Sequence, residues 1–206
     1  MTLSMACDLA EYAWTHSDVA DEKTDTHVSF QVEGATLYVL FRGSESLTNA
    51  LDDLEFWRVK WRGISVAEGF RDCYEGVEAG IEAKIAEVKS LTVVYVGHSL
   101  GAILAVIGAY ASLQKGRPSP AFAIGCPRGI SLFSVLKIRK AMSGLVTWWR
   151  NDQDIITHLA PVAFLTLHLG KKIQVGKWWR FWTAIIPDTN NAHMVSQYRK
   201  HGEETN

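Results

Sequence analysis

At 206 residues the chain is long enough to bury a sizeable core within a single domain, 1–206. A hydrophobic content of 48% with a net charge of −1 leaves no broad basic face to neutralise phosphates, so nucleic acid is excluded as an expected partner. Cys7, Cys73 and Cys126 form no C-x-x-C pair, so neither a disulfide framework nor a structural zinc site is expected, and no metal or cofactor with it.

In chain order, Met5 to Thr15 reads as a helix, followed by a hairpin of His27 to Val32 and Ala35 to Phe41 turning at Glu33-Gly34. Leu47, Ala50, Leu51 and Leu54 recur at helical spacing, Glu55 to Val66 reads as a strand or strand pair, and Gly69 to Val88 as a long amphipathic helix. The apolar run Leu91 to Val96 predicts a strand, and Ala102 to Leu113 the helix after it. Next come a strand at Ala121 to Ile124, a helix around Ile130 to Ala141 and a strand at Leu145 to Arg150. A second hairpin, Leu165 to Leu169 with Ile173 to Val175, is expected to turn at Gly170-Lys171-Lys172. A polar loop, Pro187 to Asn191, leads to a last helix from about Met194. This alternation predicts an α/β fold, a mostly parallel sheet with helices on both faces, whose ligands gather where strands end and helices begin.

Gly97-His98-Ser99-Leu100-Gly101 joins the strand to the helix and is the most informative stretch. A nucleophile elbow needs its serine in a cramped backbone conformation, with glycines two residues either side so that strand and helix pass closely. Serine is a poor nucleophile at neutral pH, so it requires a base and a group to orient that base. On a doubly wound sheet both come later in the chain, the acid first. Among the later histidines, His158, His168 and His201 are set aside for His193, which follows a loop and opens a helix. Asp152, Asp154 and Asp188 all lie between Ser99 and His193, and residue type alone does not choose among them.

Five separated stretches carry a resemblance. Phe41-Arg42-Gly43-Ser44 with Asn49, Asp53-Leu54 and Phe56, the elbow with Ala102, Gly125-Cys126-Pro127-Arg128, and Asp154 to Pro161 with the His193 and Tyr198 segment are similar to the fungal-type class 3 lipases of the α/β-hydrolase superfamily. The resemblance implies the α/β-hydrolase fold, a triad of Ser99, Asp154 and His193, and an oxyanion hole made by the backbone N–H groups of Leu100 and Ser44. It implies a serine hydrolase of carboxylic esters, lipid or small, working through an acyl-enzyme. Ala102 departs from the family's glycine, and Ala67 stands where members often carry histidine.

The apolar stripe Leu47 to Leu54 falls where related lipases carry their lid. Trp178, Trp179, Phe181 and Trp182 mix with Lys177 and Arg180 in the manner of a lipid-contacting patch, although packing accounts for them equally well. The same triad supports acyl transfer to another alcohol or thiol, and an inactive hydrolase fold holding a lipid or protein is the alternative from another class. Met1 to Asp8 lack the basic start and apolar core of a secretory leader, and no run reaches the roughly 20 apolar residues that span a bilayer. A leaderless, soluble, cytoplasmic protein is the expectation.

Overall fold

The computed structural model describes residues 1–43, 57–89, 92–151, 154, 157, 166–175 and 193–203. In chain order the elements are α1 (Leu3–Thr15), β1 (Val19–Asp21), β2 (Thr26–Glu33), β3 (Thr36–Phe41), β4 (Arg58–Trp61), β5 (Ile64–Ala67) and α2 (Glu68–Glu87). There follow β6 (Thr92–His98), α3 (Leu100–Gln114), β7 (Ala121–Ile124), β8 (Ile130–Ser131), α4 (Leu132–Ile138), β9 (Val146–Asn151), β10 (Thr166–Leu167), β11 (Lys171–Val175) and α5 (Val195–Glu203).

The main sheet has the order β1-β2-β3-β6-β7-β9-β11. Its first two pairings are antiparallel and the other four parallel. Side-chain alternation along the strands divides the core in two. Leu37, Val39 and Phe41 of β3 with Val93 and Tyr95 of β6 meet α2, α3 and α4 on one face. Tyr38, Leu40, Val94 and Val96 meet α1 and α5 on the other. This is the α/β-hydrolase fold. Helix α3 is buried from Gly101 to Ser112, which accounts for its being apolar on every side. No helix among the described residues is long and apolar enough to cross a membrane.

Several expectations are corrected. The first hairpin turns at Gly34-Ala35, because Glu33 pairs with Thr36 and Gly34 takes the positive φ of 55° that a two-residue turn demands. Ile130 and Ser131 form a strand of a second sheet, β10-β8-β5-β4, and the Ser131 hydroxyl then caps α4 by accepting from Ser134 N at 3.2 Å. The strand pair that was one reading of Glu55 to Val66 does form, from Arg58 onward, as antiparallel β4 and β5.

The second expected hairpin does not form. Leu167 pairs with Ile130 in the small sheet, whereas Lys171 to Val175 run parallel to β9 in the main one. Gly170, at φ 99°, brings the chain so close to Val146 that a Cβ there would overlap the Val146 carbonyl, and the crossing between sheets happens at this point. Strand β1 went unpredicted. It packs onto α2 at Gly76 and Gly80, where any Cβ would strike the side chains of Asp21 and Val19.

Candidate active site

The serine sits where the sterics of the elbow are tightest. A Cβ on Gly97 would overlap the Gly101 carbonyl, and one on Gly101 would overlap the carbonyl of Phe41 at the end of β3. Both glycines are therefore obligatory for β3, β6 and α3 to meet. Ser99 has φ 57° and ψ −125°, a conformation that costs a non-glycine residue on the order of 1–3 kcal/mol. It stands at the N-cap of α3, yet its hydroxyl makes no capping bond. The usual structural work of an N-cap serine is thus not being done. Its N–H donates to the Ile124 carbonyl at 3.0 Å, tying the turn to the end of β7.

One residue beyond Ile124, Gly125 turns the chain at φ 59°, and a Cβ there would come within 3.0 Å of both Asp154 Oδ2 and His193 Cε1. The end of β7 therefore presses against Asp154 and His193. Asp154 follows β9, with its N–H donating to the Asn151 carbonyl at 3.0 Å and its carbonyl accepting from the Thr157 hydroxyl at 2.9 Å. It is fully buried. His193 Nδ1–H donates to Asp154 Oδ2 at 2.7 Å, and the Tyr198 hydroxyl donates to the same oxygen at 2.6 Å.

That bond leaves His193 Nε2 as the bare, basic ring atom, buried and without a hydrogen-bond partner among the described residues. Burial first, and then the Asp154 charge beside it, push the Tyr198 hydroxyl well above the ordinary phenol range, so it remains a donor. His193 enters the site through α5, which is anchored on α1. Arg199 meets Asp8 at 2.6 Å and Glu11 at 2.8 Å, but both carboxylates are largely exposed and such pairs contribute about 0–1 kcal/mol. Burial of the Val195 and Tyr198 side chains, at about 2 kcal/mol each, outweighs them.

Asp154 and His193 are thus bonded to each other beside the end of β7, Ser99 and Leu100 stand at the end of β6, and His193 Nε2 makes no hydrogen bond to Ser99 Oγ. Leu100 opens α3, whose first N–H groups have no helical carbonyl to serve and point out of the helix end. Ser44 lies outside the described residues, as do Asp152, Asp188, His158, the stripe Leu47 to Leu54, and Trp178, Trp179, Phe181 and Trp182. His168 is engaged elsewhere, its Nε2–H donating to the Cys126 carbonyl at 2.8 Å while its ring stacks on Trp148. Arg42 meets Asp25 at 3.6 Å and lies over the Trp14 ring.

Sequence reasoning gave no role to His98 and left Tyr198 as part of a similar segment only. The one signal for Tyr198 was its place in the segment that follows His193; its partner Asp154 lies 44 positions away. His98 carried no such signal, since its partner is 95 positions away.

A sheet of this order with a strained serine at the β6–α3 turn, and a carboxylate-bound histidine later in the chain, is that of the hydrolase class of α/β folds. The family model for lipase (class 3) matches residues 38–164, and the chain belongs to that family. Among curated relatives, the lipase of Rhizomucor miehei is 31% identical over 150 residues, and the lipase of Rhizopus niveus is 28% identical over 148. Those alignments cover 66% of this chain but only 41% and 37% of the relatives, so the chain spans about two fifths of their length. In structure it resembles the Rhizomucor miehei triacylglyceride lipase, with a TM-score of 0.74 and 23% identity over 85% of this chain and 79% of that one. Lipase II from Rhizopus niveus gives 0.69 and 20% over 85% and 77%.

Proposed function

We propose that the protein hydrolyses carboxylic esters, lipid esters among them, with Ser99 as nucleophile, His193 as general base and acid, and Asp154 as its orienting carboxylate. The observation that carries this reading is the 2.7 Å bond from His193 Nδ1 to Asp154 Oδ2, which leaves Nε2 as the ring atom able to accept a proton. Ser99 Oγ attacks the ester carbonyl as His193 Nε2 takes its proton, and Asp154 stabilises the imidazolium without itself becoming protonated. The oxyanion is received by the Leu100 N–H at the start of α3, with Ser44 as the second donor by likeness to the family. The tetrahedral intermediate collapses as His193 protonates the leaving alcohol, and a water then releases the acid from the acyl-enzyme by the same steps.

The lipases similar to this chain support lipid esters as substrates, and the aromatic run Trp178 to Trp182 is our candidate for contact with the lipid surface. A fluorophosphonate probe tests the assignment of the nucleophile. It should label the wild type and leave Ser99→Ala unlabelled; equal labelling of the two would remove Ser99 from the reaction.

A further inference from the structure

His98 is a buried titratable side chain that this mechanism leaves unused. It precedes the nucleophile directly, ends β6, and is 6% exposed. A backbone carbonyl can only accept, so the 2.6 Å contact between His98 Nε2 and the His193 carbonyl fixes the proton on Nε2. The two imidazole rings stand 4.5 Å apart, tilted by 37°, and the Tyr198 ring meets His98 edge-on at 6.3 Å. His98 Nδ1 has no hydrogen-bond partner among the described residues. Among the described residues its side chain thus makes a single hydrogen bond, to the main chain of the candidate base.

We infer that His98 is a positioning residue for His193: its Nε2–H holds the main chain of the base at a fixed station relative to the nucleophile one residue away. The inference rests on the functional reading above. Asp154 fixes the direction of the His193 ring through Nδ1, but a hydrogen bond to a side chain does not fix where the backbone of the base lies. That backbone lies two residues ahead of α5, which is not part of either sheet. His98 ties it to β6, the strand that also carries Ser99, so nucleophile and base share one rigid support. The ring beside His193 is also kept neutral. Burial, and then the charge of His193 itself, lower the His98 pKa to about 3, so the imidazolium formed in the reaction meets no second cation.

The test uses three substitutions that separate the donor from the ring. His98→Gln carries an amide N–H at nearly the reach of histidine Nε2, His98→Asn carries one too short to reach the His193 carbonyl, and His98→Phe keeps a ring without a donor. On a soluble chromogenic ester, Asn and Phe should lose about 10- to 100-fold in kcat with KM within about twofold, since a base displaced by an ångström costs that much. His98→Gln should recover to within about threefold of wild type. Equal kcat for Gln and Asn, or a loss carried by KM, would overturn the inference, and thermal melting shows whether each variant folds. If Phe fails to fold, the comparison of Gln with Asn decides alone. A wild type without ester turnover would instead refute the proposed function.

Discussion

Tyr198 and His193 donate to one and the same oxygen, Asp154 Oδ2, at 2.6 and 2.7 Å. The carboxylate is fully buried, so these bonds stand in for the water it has lost. A donor to a buried charged acceptor contributes more than an ordinary hydrogen bond, about 1.5–3 kcal/mol. Tyr198→Phe keeps the ring in its packing and removes only this donor. Urea unfolding should show a loss in that range, accompanied by a lower kcat because the carboxylate is freer to turn away from His193. An unchanged unfolding midpoint would mean that Tyr198 contributes only its ring.

Gly125 presses its bare Cα against the pair formed by Asp154 and His193. Gly125→Ala meets two costs there, a left-handed φ of 59° and a Cβ 3.0 Å from both Oδ2 and Cε1. The neighbour that yields is the histidine ring, whose orientation the chemistry requires. The expected result is a folded protein, destabilised by about 1–2 kcal/mol, with kcat reduced about 100-fold and KM little changed. Steady-state kinetics beside a thermal melt check it; wild-type kcat would show that the pair tolerates the methyl group.

His98 makes stability depend on acid in a defined window. An unfolded histidine titrates near 6.5, and in the fold His98 titrates at about 3. Between those values the unfolded chain binds a proton that the folded chain refuses, so its contribution is complete above about pH 6.5 and is lost as the pH falls toward 3. The slope from this one residue is about 1.4 kcal/mol per pH unit. Urea titrations of wild type and His98→Gln from pH 7 to pH 4 isolate it, because the carboxylates titrate alike in both. The variant should show the shallower fall, and parallel curves would place the His98 proton elsewhere.

How much of this was readable from residues alone differs element by element. The elbow was legible because its letters encode a steric need: at Gly97 and at Gly101 a Cβ would overlap neighbouring backbone. The two-faced sheet was legible in the apolar runs of β3 and β6 and in the helices between them. The choice of Asp154 was not, since three aspartates satisfy the chain order, and only the family resemblance singled out the one that the structure sets against His193. The hairpin reading of residues 165–175 failed because a parallel pairing with β9 leaves no mark in the local pattern, whereas glycine followed by two lysines looks like a turn. Those lysines instead open a strand at the rim of the described sheet, where charge discourages edge-to-edge pairing. Strand β1 is three residues long and is held by glycines more than fifty positions away, beyond the reach of any window of periodicity.

The central claim is that Ser99 is the nucleophile of an ester hydrolase. Hydrolysis of a chromogenic ester series from acetyl to palmitoyl, with and without detergent, in wild type and Ser99→Ala, tests it most directly. The account predicts turnover in the wild type, extending to long acyl chains, and a loss of at least about 10³-fold in the variant. Equal rates for the two proteins, or no turnover of any ester by the wild type, would contradict it.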